Sequence, residues 1–142
     1  MTSKLDTDYE RAGYHSKQDW GKKPALLLVD FARAYFEADS PLFGGDGCIN
    51  AVSNVQHLLE KARSASIPVI FTEVRYRKGG LDGGIFFRKV PPLACFEDDN
   101  PFADLQPPLK RRDNETMITK QYPSAFFGTS LASMLTAMQV DT

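Results

Sequence analysis

Two charged residues stand where apolar or β-prone stretches of this chain run out. Ala25-Leu26-Leu27-Leu28-Val29 is an unbroken apolar run that stops on Asp30, and Glu115-Thr116-Met117-Ile118-Thr119 stops on Lys120. If both runs are strands of one parallel sheet, the two side chains share the crevice beyond the strands' carboxyl ends, where open α/β sheets bind ligands. Neighbouring strands lie about 4.8 Å apart, so the pair can converge even with a strand between them. A carboxylate beside an ammonium favours the charged form of both. Such a pair can relay a proton and stabilise developing negative charge, but it supplies no nucleophile. The plainer alternative is that Asp30 caps the following turn and Lys120 is an exposed strand end.

The elements that must position these residues follow in order. Met1 to Lys23 is polar and carries Arg11, Tyr14, His15 and Trp20. It reads as an arm or short helix packed on the domain or on a neighbouring subunit. Ala25 to Val29, entered through Pro24, predicts a strand buried on both faces. After the glycine turn Gly44-Gly45-Asp46-Gly47, Asn50 is the expected N-cap of a helix with Val52, Val55, Leu58, Leu59 and Ala62 on one face, ending at Ser64 to Ser66. Ile67 to Thr72 predicts a second buried strand, completing a right-handed βαβ unit. Glu73 to Asp113 is a long excursion with five prolines and the turn run Gly79 to Gly84. Excursions of this length in compact domains are usually functional or mobile, and this one leaves the carboxyl end of a strand, over the crevice. A short helix within Phe102 to Leu109 would complete the crossover. Glu115 to Lys120 is the third strand. A helix capped by Thr129 or Ser130 follows, with Leu131, Met134, Leu135 and Met138 inward. Gln139 to Thr142 reads as the approach to a fourth strand.

Composition narrows the function classes. The chain has 142 residues, within the size of one domain, with ordinary hydrophobic and charged content. A net charge of -1 gives no long-range field for nucleic acid or an acidic membrane surface. No apolar run approaches a membrane span, and no secretory h-region precedes Lys23. Cys48 and Cys95 lack metal-ligand spacing and read as free thiols of a reducing, cytoplasmic compartment.

Three stretches then act together. Pro24-Ala25-Leu26-Leu27-Leu28-Val29-Asp30-Phe31, Pro68 to Tyr76 and Lys120-Gln121-Tyr122-Pro123-Ser124-Ala125-Phe126-Phe127-Gly128-Thr129 closely resemble the isochorismatase-like cysteine hydrolases. Asp6 to Gly21, with Tyr9, Arg11 and Tyr14, is similar to the N-terminal arm of the N-carbamoylsarcosine amidase and maleamate amidohydrolase branch. The resemblance implies an α/β fold, a Rossmann-like three-layer αβα domain on a parallel sheet. It also implies a Cys-Asp-Lys triad that hydrolyses a C–N bond of a small carboxylated amide or carbamoyl compound. In that triad cysteine attacks the carbonyl, the residue matching Asp30 takes and returns the thiol proton, and the residue matching Lys120 orients it. No metal or organic cofactor is implied, and the family commonly forms homo-oligomers.

The nucleophile of that pattern follows a fourth strand, at the start of the next helix. Neither Cys48 nor Cys95 stands at the matching place. Residues 1–23 are therefore expected to be an arm, and 24–142 the N-terminal part of a hydrolase domain with only its first three strands. In a 3-2-1-4-5-6 strand order the Ala25 to Val29 strand becomes an edge, which invites association. An inert fragment that binds partner chains along this edge is one rival reading. An isochorismatase proper, cleaving a vinyl ether, is another. The nicotinamidase relatives place a metal-binding Asp and His after the second strand. Here that place reads Glu73-Val74-Arg75-Tyr76, so a catalytic metal is not expected. Arg75 and Tyr76 are candidates to hold a substrate carboxylate, with a surface ion pair as the alternative. His15, His57, Glu97-Asp98-Asp99 and Lys110-Arg111-Arg112 read as solvated surface.

Overall fold

Leucine triplets make good strands only when neighbours cover them, and β1 (Leu26–Leu28) has a neighbour on one side. In the computed structural model, which describes residues 4–17 and 19–142, the arm begins with α1 (Lys4–Arg11). Met1 to Ser3 and Gln18 of the predicted arm lie outside the described residues. After β1 come α2 (Asp46–Ser64), β2 (Val69–Val74), α3 (Gly84–Lys89), β3 (Thr116–Lys120) and α4 (Leu131–Ala137). The sheet order is β1-β2-β3, all parallel, with Leu28 opposite Phe71 and Val74 opposite Lys120.

The period of two along the strands sorts the core into two faces. Leu28, Val69 and Phe71 pack with Leu59, Ala62 of α2 and Leu109. Ile70 and Ile118 pack with Ala125 and Leu131 of α4 on the other side, joined by Leu27, Met134 and Leu135. Helices thus cover both faces, the three-layer α/β arrangement expected. Phe71 is fully buried, and removing such a ring contributes most to any loss of stability in this layer.

Several local expectations need correction. The first strand is shorter than predicted, and Val29 is 50 % exposed, because it lies past the last residue paired to β2. The helix α2 starts at Asp46, not Asn50. Gly45, at φ 74, turns the chain so that Cys48 and Ile49 donate to its carbonyl at once. Leu58 is exposed, since the buried stripe runs at 52, 55, 59 and 62 and leaves 58 to one side. The second strand runs on through Val74. In place of the helix expected within 102–109 there is one 3₁₀ turn, Pro101–Ala103, which overlaps only its first two positions. There Leu105 bridges Ala32 in extended pairing and Pro107 and Pro108 lack N–H donors. Met138 is only partly covered, at 38 % exposure. Ser130 occupies the N-cap of α4, but the hydroxyl that accepts from Leu131 N–H is Thr129's.

The long excursion is packed rather than loose. Leu93, Cys95, Phe96 and Ala103 join Ala32, Ala34, Val74 and Tyr76 in a third cluster beyond the carboxyl ends of the strands. The α3 helix and the Pro91–Phe96 turn within it were not foreseen. By contrast, α1 buries none of its residues and Trp20 is 84 % exposed, and the arm meets the domain through Gly21, Lys22 and Lys23, whose N–H groups donate to Thr142 and Asp141. At the other terminus, Asp141 N–H donates to Lys23 O and Ala25 N–H to Thr142 O, so 141–142 run alongside 23–25 without forming a strand.

Candidate active site

Asp30 leaves β1 in the left-handed region, at φ 59. An aspartate tolerates that conformation better than most side chains, yet a non-glycine residue persists there only when its surroundings hold it. Here the holder is Thr72 of β2, the next strand. The Asp30 N–H donates to Thr72 Oγ1 at 3.1 Å, and the same hydroxyl donates to Asp30 Oδ1 at 2.8 Å. The flip of the backbone and the aim of the carboxylate therefore depend on one side chain.

Lys120 reaches the other oxygen from β3, across β2. Its Nζ lies 2.8 Å from Asp30 Oδ2 and also donates to the carbonyls of Pro123 at 3.3 Å and Tyr122 at 3.4 Å. The ammonium thus has three acceptors for its three protons. This matters because the Lys120 side chain is 2 % exposed, where an unpaired charge would be very costly. Asp30 keeps more access, with its side chain 21 % exposed.

The exposed part of Asp30 faces a cavity of about 190 Å³ lined by Val29, Phe31, Tyr35, Phe36, Cys48 and Ala51. These neighbours are mostly apolar, so Asp30 is the one carboxylate of the lining. The Tyr35 phenol is pushed up to about 12, first by burial and then by the Asp30 charge, so it stays neutral. The arrangement can take up and return a proton at Asp30 while the adjacent ammonium holds charge nearby.

The other predicted residues are placed as follows. Arg75 is taken up by Glu73 at 3.2 Å and Asp104 at 2.6 Å, the ion-pair alternative. Tyr76 is buried against the Phe87 ring, with its phenol raised by burial and then by Asp82 and Asp30. Cys48 lies in the first turn of α2, half-buried, on the cavity that holds Asp30. Cys95 is buried in the excursion core, and burial pushes its thiol up to about 11. His57 is exposed on α2, and His15 lies beside Glu10 on the arm. Glu97 accepts from Gly79 N–H. Among the described residues no group of three His, Cys, Asp or Glu side chains could hold a metal ion. None of their helices is long and apolar enough to cross a membrane.

Sequence reasoning did not find Thr72. Its signal was a hydroxyl closing the otherwise apolar run Val69-Ile70-Phe71, at the level where β1 ends. The carbonyls of Tyr122 and Pro123 carried no such signal, since every residue has one.

Comparison with known proteins adds independent findings. The isochorismatase domain family matches residues 24–142. Maleamate amidohydrolase from Pseudomonas putida is 39 % identical over 124 residues, which is 87 % of this chain and 58 % of that protein. N-carbamoylsarcosine amidase from an Arthrobacter species is 31 % identical over 139 residues, 94 % of this chain and 52 % of that protein. The chain therefore spans little more than half the length of these curated relatives. Among solved structures, a cysteine hydrolase from Pseudomonas syringae superposes with a TM-score of 0.80 at 25 % identity, covering 89 % of this chain and 62 % of that one.

Proposed function

The chain belongs to the isochorismatase family across residues 24–142, and on that footing we propose that it supplies the Asp–Lys half of an amidohydrolase site. The substrate class is a small carboxylated amide or carbamoyl compound, cleaved at its C–N bond. The observation that carries this reading is the 2.8 Å contact of Lys120 Nζ with Asp30 Oδ2, made across an intervening strand beside a cavity. Two relatives are named for such chemistry, on maleamate and on N-carbamoylsarcosine.

Asp30 takes the proton of an attacking cysteine thiol as sulfur bonds to the amide carbonyl carbon. It returns that proton to the nitrogen as the C–N bond breaks, releasing ammonia and leaving a thioester. Water then adds to the thioester, gives its proton to Asp30, and the proton passes to the departing sulfur. Lys120 holds the carboxylate oriented and offsets charge that develops at the reacting centre. The thiol is assigned to the place after a fourth strand in the family pattern, and to neither Cys48 nor Cys95.

The test is ammonia release from maleamate and N-carbamoylsarcosine by this chain fused to the carboxyl-terminal part of its maleamate amidohydrolase relative, the part beyond the matched residues, and by the Asp30→Asn variant of that fusion. Turnover that the substitution abolishes is expected. Absence of release across a broad panel of linear amides overturns the reading.

A further inference from the structure

The amino-terminal pole of the sheet, away from Asp30 and Lys120, carries its own cavities. Five residue steps of β2 at about 3.3 Å each separate the poles by roughly 16 Å. One cavity, of about 200 Å³, is lined by Arg63, Arg112, Asn114 and Glu115. A second, of about 310 Å³, is lined by Lys22, Lys23 and Met138. Both share the turn Ser66-Ile67-Pro68, so they adjoin.

Their lining holds four cationic side chains and one carboxylate. That carboxylate, Glu115, is already taken by the Arg63 fork at 2.6 and 2.8 Å and by Arg112 N–H. Among the described residues the Arg112 guanidinium has no hydrogen bond or ion pair, and the Lys22 ammonium has none. Beside the second cavity the Asp141 carboxylate accepts from the Lys22 and Lys23 N–H groups, and Lys23 Nζ donates to Gln139 at 2.6 Å, so the uncommitted positive charge rests on Arg112 and Lys22.

Ser66 supplies the second argument. It sits just past α2 at φ 56, where Ser66 N–H bonds Arg63 O and Ile67 N–H bonds Ala62 O. This is the helix-ending motif that normally takes glycine. A serine there keeps a strained backbone and places a hydroxyl at the junction of the two cavities. The same hydrogen bonds occupy carbonyls of the last turn, which mutes the negative end of the helix facing the site.

We propose that this pole binds a small phosphate-bearing anion. Arg112 offers a planar pair of donors, Ser66 a hydroxyl, and Lys22 and Lys23 further positive charge. The site is independent of the Asp30–Lys120 reading.

Calorimetric titration with inorganic pyrophosphate, at low salt and again near physiological salt, tests it. Saturable one-site binding is expected. Arg112→Gln is expected to weaken it about tenfold, the loss of a charge-assisted hydrogen bond. Ser66→Gly is expected to weaken binding while retaining or raising the thermal midpoint, which separates ligand contact from folding. Asp30→Asn is expected to bind pyrophosphate as the parent chain does. No saturable binding at millimolar pyrophosphate overturns the proposal. So does binding that is unchanged in both Arg112→Gln and the double variant Lys22→Gln, Lys23→Gln.

Discussion

The two most buried ion pairs among the described residues lie at opposite poles of one sheet and are built differently. At the amino-terminal pole, Arg63 grips Glu115 with two parallel hydrogen bonds, and Arg112 N–H adds a third donor to the carboxylate. The Arg63 guanidinium also reaches Lys110 O, so little capacity is left over. At the carboxyl-terminal pole, Lys120 touches one oxygen of Asp30 and a threonine hydroxyl the other, and the carboxylate still faces a cavity. The first pair has its hydrogen-bonding capacity closed on the protein. The second keeps lone pairs turned toward space that a small molecule can occupy. An ion pair tied off on all sides holds structure, whereas one held on a single side can exchange a proton.

That contrast is most sharply broken or kept by exchanging the consequences of substitution. In the fusion that restores a thiol, Asp30→Asn is expected to lower ammonia release by about 10²- to 10⁴-fold, the range for losing a general acid–base group. It also leaves the Lys120 ammonium buried against neutral acceptors alone, so a stability loss comparable to that of Arg63→Ala is expected. Arg63→Ala leaves Glu115 buried without its main partner and is expected to cost about 3 kcal/mol by urea denaturation. It should barely change turnover per folded molecule. If Arg63→Ala lowered turnover per folded molecule as far as Asp30→Asn does, the division between a structural and a working pair would fail.

Thr72→Val refines the same comparison. It is nearly isosteric, and it orphans the Asp30 N–H while removing a donor from Oδ1. A stability loss of about 1–2 kcal/mol is expected. Turnover should fall as well, since the carboxylate loses the hydroxyl that aims it. Thr72→Ser should restore both, which a merely space-filling role would not predict.

The smallest expected effect concerns pH and folding. Hydrogen bonding from Arg63 first, and then from Arg112 N–H, holds the Glu115 carboxyl below its ordinary value of 4.5. A depressed carboxyl contributes stability that is present above 4.5 and is lost as pH falls through its lower folded value. Urea midpoints measured from pH 6 downward should therefore decline along an acid limb. In Arg63→Ala that limb should flatten, and an unaltered limb would remove Glu115 from the account.

Much of this was legible in the residues. Leu26 to Leu28, Val69 to Val74 and Thr116 to Lys120 read as buried strands because apolar or β-branched runs of that length, bounded by Pro, Gly and turn residues, fit little else. The motif around Lys120 tied the chain to its family. The excursion was harder to read. Its fold depends on contacts such as Tyr76 with Phe87 and Phe96 with Tyr35, between residues too far apart in sequence for any periodicity to show. The start of α2 was harder to read for a different reason: Gly45 acts through φ, which a residue type permits but does not announce, whereas the end of that helix at Ser64 to Ser66 was legible.

By itself, then, the order of residues determined that a carboxylate and an ammonium would end two strands of a parallel sheet. Tertiary structure decided the rest of their chemistry. Asp30 is aimed by a threonine 42 positions away, and Lys120 is made safe to bury by carbonyls after the strand turns over. Both depend on where the backbone goes, and hydrogen-bond geometry is set by positions in space rather than along the chain.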